Sequence, residues 1–425
     1  MRNDFPRYDR RSFLAAAAVA GPAICGAASL AAEPAKSNRR RLRVAMINSI
    51  YRFRSHAYHI GGRLLHGYDI EGFHHQPNVE LVRMYNHQYP ADDLSRAESK
   101  RLGYEVVDTP AAALGPAGKL DVDAVLLVVE HGDYQTNEFD QILYPRYELF
   151  QEIVKVFESV GRAVPVFVDK HLSYDATKAR AMFDASRRLK FGLMAGSSLP
   201  VTWRRPELEP PLDTPLKEGL VAFGYDRMTS EVYFFHALET LQCLMERRSG
   251  GETGVKRVRM LEGPAVWKAA DEGLWSWDLL ATALRRNPTN NVGDVRDNVT
   301  KPQALLVDYA DGTRGVALNL VEQVSEFSFA GRVADRDDPI STWFVLPQPP
   351  AAKFFDALTW NIERFLRAGR PPYPVERTLL TSTVLDFAMH SLKAGGAPQQ
   401  SELLDISYRA PADSGYFRGR FTSEG

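Results

Sequence analysis

Val164-Pro165-Val166-Phe167-Val168-Asp169-Lys170-His171-Leu172-Ser173 carries an apolar strand straight into a lysine flanked by an acid and a histidine. A short run that is apolar on both faces belongs to a sheet covered on both sides, as parallel strands joined by helices are. A lysine at the carboxyl end of such a strand points into the crevice where open parallel sheets bind ligands. Partial desolvation there would lower its pKa, and a lysine so tuned can hold or exchange a substrate hydroxyl proton. Lys170 is therefore the first candidate catalytic residue, and the competing reading is a surface lysine paired with Asp169.

Upstream, Leu42 to Asn48, Val79 to Tyr85 and Ala124 to Val129 are further apolar runs, and Tyr144 to Val160 has helical spacing at Leu149, Ile153 and Phe157. This alternation predicts a Rossmann-like parallel sheet over residues 42–172. Beyond Lys170 the pattern changes. A helix is expected over Tyr174 to Leu189, a strand over Gly254 to Leu261, and a hairpin from Ala304–Tyr309 to Gly315–Leu320 with Asp311-Gly312 at its tip. Ser325 to Val333 and Thr342 to Leu346 supply more strands, and Ala351 to Ala368 and Val375 to Lys393 read as helices closed by Gly/Pro-rich stops. Residues 173–400 thus form an α+β domain with a mostly antiparallel open sheet, and residues 401–425 a C-terminal extension. There is no internal repeat.

Asp9-Arg10-Arg11-Ser12-Phe13-Leu14 opens a charge-free, small-residue-rich run to Ala32, with Ser29-Leu30-Ala31 as a cleavage site. Residues 1–32 read as a twin-arginine signal peptide and 33–41 as a linker holding Arg39-Arg40-Arg41. The run is short and interrupted by Pro22, which argues against a membrane anchor, and Ile24 before Cys25 spoils a lipoprotein site. The expected location is the periplasm or another exported compartment, with the twin-arginine translocase as a transient partner and no stable membrane insertion. Of two cysteines, Cys25 leaves with the signal, so Cys243 has no partner within the mature chain. A formal net charge of −1 supplies no overall reason to bind nucleic acid.

The strand, the Asp169-Lys170 pair, Ser173 and the following helix ending in Lys190-Phe191-Gly192 resemble the Glu-Lys-Pro segment of the glucose-fructose oxidoreductase/inositol dehydrogenase family. Asp169 and His171 stand where that family has glutamate and proline. The order of a parallel sheet followed by a hairpin-rich half is also the family's. The resemblance implies an oxidoreductase acting on a sugar, sugar acid or cyclitol, with NAD or NADP as cofactor. It also implies a homo-oligomer built on an exposed sheet face of the second domain. It places the cofactor against Asn48, Ser49, Ile50, Asn86, Glu130 and Asp169. Where the family carries a histidine followed three residues later by an acid, this chain has His236-Ala237-Leu238-Glu239 in an expected helix from Phe235 to Arg248. Residues three apart share a helix face, so Glu239 would orient His236 as a general base. The family's additional acid, four residues before the histidine, is replaced by Val232.

The first loop departs from this pattern. A dinucleotide site needs glycines between strand and helix so that backbone can approach the pyrophosphate. Ser49 to Ile60 holds none, and Gly61-Gly62 comes too late. Asn86-His87 stands where a ribose-binding acid is expected. Either Arg52 and Arg54 hold the phosphates or nucleotide binding is lost. The same region is rich in histidine, and His56 and His59 with Glu130 or His131 would be the set to chelate a metal. No recognised metal spacing is matched, and no metal ligand is assigned. A metal-assisted lyase or hydrolase on the same scaffold, or a carbohydrate-binding protein without turnover, are the other readings. Ser197, Trp203 and Arg204 offer a hydroxyl, an aromatic face and a guanidinium to a polyol, and Trp275-Ser276-Trp277-Asp278 is a second aromatic cluster.

Overall fold

The computed structural model describes residues 40–116, 119–226, 228–347 and 351–419, so the expected signal peptide lies outside the described residues. The first sheet contains β1 (Leu42–Asn48), β2 (Val79–Asn86), β3 (Glu105–Val107), β4 (Ala124–Val128), β5 (Val166–Asp169) and β6 (Leu193–Gly196). All are parallel, in the spatial order 3-2-1-4-5-6 of a doubly wound dinucleotide fold. The eight helices that organise the layers are α1 (His56–His66), α2 (Arg146–Val160), α3 (Ala176–Arg188), α4 (Ser230–Met245), α5 (Pro264–Asp271), α6 (Trp277–Arg286), α7 (Phe354–Ala368) and α8 (Glu376–Lys393).

Alternation along each strand sends side chains to opposite faces, and both faces are apolar. Ile47, Leu127 and Val168 meet Ile153 and Phe157 of α2 and Met182 of α3. Met46, Leu126 and Phe167 meet Ile60 of α1 and Leu358 and Ile362 of α7. The parallel layer runs on past residue 172, because α3 is the crossover that delivers β6. It is completed by α7, which returns from the far end of the chain.

The second sheet contains β7 (Arg204–Arg205), β8 (Leu216–Phe223), β9 (Val255–Glu262), β10 (Gln303–Tyr309), β11 (Arg314–Asn319), β12 (Phe327–Val333) and β13 (Ile340–Phe344). Its order is 9-10-11-8-12-13-7, antiparallel except between β8 and β11. The β10–β11 turn closes at Asp311-Gly312, where Gly312 takes φ 85° and Asp311 Oδ1 accepts the Thr313 amide. Leu241 and Met245 of α4 and Leu385 and Met389 of α8 pack on one face of this sheet.

The opposite face, expected to be exposed and available for self-association, is covered. Trp275, Leu279, Leu280 and Ala283 lie over Leu220, Leu306, Val316 and Ala330. Trp275 Nε1 donates to the Val266 carbonyl at 3.0 Å, and Trp277 stacks on Trp267, so these tryptophans pack the cover. In the C-terminal stretch, Ser407–Tyr408 pairs with Glu252–Thr253. Among the described residues no helix is long and apolar enough to cross a membrane.

Trp275→Ala should lower unfolding free energy by about 3–5 kcal/mol, the usual cost of emptying a large aromatic site. Urea denaturation measures it, and a loss under about 1 kcal/mol would show that α5 and α6 are a loose appendage.

Candidate active site

The carboxyl ends of the parallel strands, α4, α7 and one edge of the second sheet enclose a cavity of about 240 Å³. The segment between β1 and α1 contributes Arg54 and His56, and α1 contributes His59. The loop after β4 brings His131, β5 ends on Asp169, and the turn after β6 brings Ser197 and Ser198. From the other side come His236 of α4, with Tyr225, Tyr233 and Phe327. Tyr225 and Tyr233 stack at 4.3 Å, and Phe327 lies 5.6 Å from Tyr225, so one wall is a flat aromatic surface. Phe354, Phe355 and Leu358 of α7 close the apolar side.

Lys170 lies next to this cavity but does not line it. Its Nζ is 2.6 Å from Glu130 Oε1, and both side chains are almost fully buried. The other carboxylate oxygen of Glu130 accepts from Arg146 at 2.5 Å, and Arg146 also reaches the ring of His171. Burial pushes the Glu130 carboxyl up, but the charges of Lys170 and Arg146 outweigh it and hold it well below the usual carboxylate range. The expected strand-end lysine is thus present, with its ammonium committed to a buried ion bridge. Glu130, expected at the cofactor, is the centre of that bridge.

The expected His236–Glu239 pair does not form. Glu239 accepts the Ser197 amide at 2.6 Å and lies 3.2 Å from Thr378 Oγ1. The Thr378 hydroxyl has one proton and also faces the Ala195 carbonyl at 2.9 Å. A protonated Glu239 donating to Thr378 satisfies both contacts. Burial agrees, pushing the Glu239 carboxyl up to about 7. Glu239 therefore holds the turn after β6 in place. Gly196, at φ 125°, allows its close approach, since a Cβ there would sit 2.9 Å from the carboxylate. His236 is left with a buried Nδ1 that has no hydrogen-bond partner. Burial, aided by the charge of Lys170, holds its pKa well below the ordinary histidine value, so the ring is neutral at physiological pH.

Asp169 holds a partner that the sequence did not reveal. His56 Nδ1 is 2.8 Å from Asp169 Oδ2, and the histidine ring is part of the cavity wall. The sequence points to His56 as a chelator and to Asp169 as a cofactor contact, and not to a pair. Nothing in local spacing joins residues 113 positions apart. His59 stacks flat on Phe355 at 4.8 Å, and burial lowers its pKa to about 3. Burial also takes His131 down to about 4. Among the described residues no group of three His, Cys, Asp or Glu side chains is placed to hold a metal ion.

Of the other expected contacts, Ser197 lies in the cavity wall, whereas Trp203 and Arg204 do not. Trp203 packs edge-on against Phe417. Arg204 is fully buried, donates to the Pro200 and Leu208 carbonyls, and lies over the Tyr416 ring. They are consumed by packing because the C-terminal stretch folds back over them.

A nicotinamide dinucleotide held in the usual manner does not fit the β1–α1 loop. Ile50 and Tyr51 are buried where a backbone-only approach is needed, and Tyr51 donates to Glu98. Ser55 caps α1 by accepting the Tyr58 amide, and the Arg52–Ser55 turn closes over that helix end. Ser49 donates to the Glu130 carbonyl, and Asn48 donates to Asn86 across the strand ends. Four of the expected cofactor residues thus bond to one another in pairs. A separate cavity of about 460 Å³ is lined by Ile50, Arg52, Gln88 and Asp133.

Fold and cavity together define a two-part α/β protein with a Rossmann-like sheet whose strand ends face a mostly antiparallel partner sheet. No protein-family model and no curated protein matches the chain by sequence. Solved structures do match it in fold. A probable dehydrogenase from Thermotoga maritima superposes with a TM-score of 0.52 at 14% identity, over 85% of this chain and 100% of that one. GenD2 from gentamicin A biosynthesis, in complex with NAD, gives 0.53 at 12%, over 86% and 97%. A putative myo-inositol dehydrogenase from Sinorhizobium meliloti 1021 gives 0.50 at 13%, over 84% and 99%. At these identities the likeness establishes a shared fold.

Because Glu239 is raised above its unfolded value, the unfolded chain releases this proton first as pH rises from about 4.5 to about 7. The group therefore subtracts stability across that window. Glu239→Gln, which keeps an acceptor for Ser197 and a donor for Thr378, should lose less stability than wild type between pH 5 and 8. Parallel urea titrations read the difference, and identical slopes would refute a protonated Glu239.

Proposed function

We propose that this protein is an enzyme of the oxidoreductase type that acts on a hydroxyl of a small sugar, sugar acid or cyclitol bound in the histidine-lined cavity. The observation that carries this reading is the unpartnered Nδ1 of His236, buried beside Ser197 and an aromatic wall at the carboxyl end of a parallel sheet. A hydroxylated ring lays its C–H face on Tyr225, Tyr233 and Phe327 while a hydroxyl bonds to the neutral His236 and to Ser197. Burial, aided by the charge of Lys170, keeps His236 unprotonated. The solved proteins of this fold, two of them named above as dehydrogenases and a third, GenD2, in complex with NAD, support the oxidoreductase class.

NAD or NADP, when bound, supplies the hydride acceptor that oxidation of an alcohol requires. The filled β1–α1 loop favours a second reading, a non-redox lyase or hydrolase on the same scaffold. Mass spectrometry of the denatured protein and calorimetry with NAD and NADP separate the two. A dinucleotide released in stoichiometric amount supports the redox reading. The absence of both release and binding overturns it and leaves the non-redox one, which predicts turnover of a sugar and cyclitol panel without added dinucleotide. In either case His236→Ala, which removes a hydrogen bond to the substrate hydroxyl, should lower kcat/KM by about tenfold or more, and full activity of that variant would sink the proposed site.

We further propose export of the folded chain through the twin-arginine route, which rests on Arg10-Arg11 and the apolar run after them. Replacing both arginines by lysine should hold the protein in the cytoplasm in a fractionation assay, and unchanged export would contradict it.

A further inference from the structure

We propose that His56, oriented by Asp169, is a catalytic base of this site, taking the proton of a substrate hydroxyl on its Nε2. This deepens the reading of the cavity as a site for a hydroxylated substrate and rests on it. A carboxylate only accepts hydrogen bonds, so the 2.8 Å contact fixes the proton of His56 on Nδ1 and leaves Nε2 as the basic nitrogen. That ring borders the cavity, and its side chain keeps 18% of its exposure, against 1% for Asp169. The arrangement is that of a buried acid behind an accessible imidazole, in which the acid sets the tautomer and stabilises the imidazolium that forms.

Position supports the assignment. His56 is the first residue of α1, held there by the Ser55 cap, and Phe355 meets its ring edge-on at 5.0 Å. Asp169 is the last residue of β5, followed by Lys170 in the left-handed region at φ 54°. The groups facing His56 are Asp169 from β5, Glu130 and His131 from the loop after β4, the latter at 5.2 Å between ring centres, Arg54 and His59 from its own segment, and His236 across the cavity. Of these imidazoles His59, His131 and His236 are all driven well below neutrality by burial, which leaves them poor bases. His56 alone among the four has a carboxylate behind it. In the step itself the substrate O–H bond breaks, an Nε2–H bond forms, and the electron pair stays on the substrate oxygen. Asp169 acts through His56 and is a positioning residue.

Two measurements on the full chain test this. Diethyl pyrocarbonate acylates neutral, accessible imidazoles, and the rate at His56 is read by peptide mass spectrometry. The wild type should be acylated at His56, and Asp169→Asn, whose amide can donate to Nδ1 and leave the proton on Nε2, should slow it on the order of tenfold. An unreactive His56, or one indifferent to Asp169→Asn, overturns the proposal without reference to any substrate. On the panel of sugars, sugar acids and inositols, His56→Gln should lower kcat by about 10²- to 10⁴-fold with little change in KM. Asp169→Asn should lower kcat with little change in KM, and Asp169→Glu should restore part of it, which a purely structural residue would not do. Full turnover by His56→Gln overturns the catalytic role. If the wild type turns over no member of the panel, it is the substrate reading that falls, and the acylation rates still decide whether the pair is a base.

Discussion

The buried bridge of Glu130 between Lys170 and Arg146 is the constraint on which the site depends. One carboxylate bonds to two cations in a region with almost no solvent, and removing Glu130 leaves both of them without compensation. The three residues come from the end of β4, the end of β5 and the start of α2, so the bridge fixes three elements at one point. His131 and Lys170 both hold left-handed backbone, at φ 65° and 54°, which non-glycine residues adopt only where the surroundings impose it. That backbone aims Asp169 and His131 at the cavity.

The parallel sheet was legible because its strands are apolar throughout and its crossovers show helical spacing. The phrase from Val164 to Ser173 located the strand end, the lysine and the helix after it, and the hairpin was visible in Asp311-Gly312. What escaped the sequence is long-range pairing. Glu239 and His236 share a helix and the right spacing, yet Glu239 answers to the amide of Ser197 and the hydroxyl of Thr378, which no local pattern announces. Trp203 and Arg204 had the chemistry of a sugar site and were used for packing instead, because residues 416 and 417 fold onto them. The helices over the second sheet were equally hidden, since an amphipathic stretch does not say which surface it will cover.

The scaffold and the loop tell different stories. A fold shared with dehydrogenases fixes where a ligand lies but not what is done to it. In the segment between β1 and α1, side chains occupy the space that glycines keep open in a dinucleotide site, and a histidine stands at the head of the helix. The crevice at the strand ends is lined in this chain by imidazoles and a carboxylate.

The return of α7 to the first sheet has a consequence for how the protein is made. Arg63 of α1 bonds to Asp356 of α7 at 2.5 Å, and Phe354, Phe355 and Leu358 wall the cavity. Every strand of the parallel sheet has left the ribosome well before that helix is synthesised. Until then the nascent sheet exposes Met46, Leu126 and Phe167 to water, and the cavity has no floor. The binding site is thus a late product of folding, and no amino-terminal fragment that stops short of α7 can contain it.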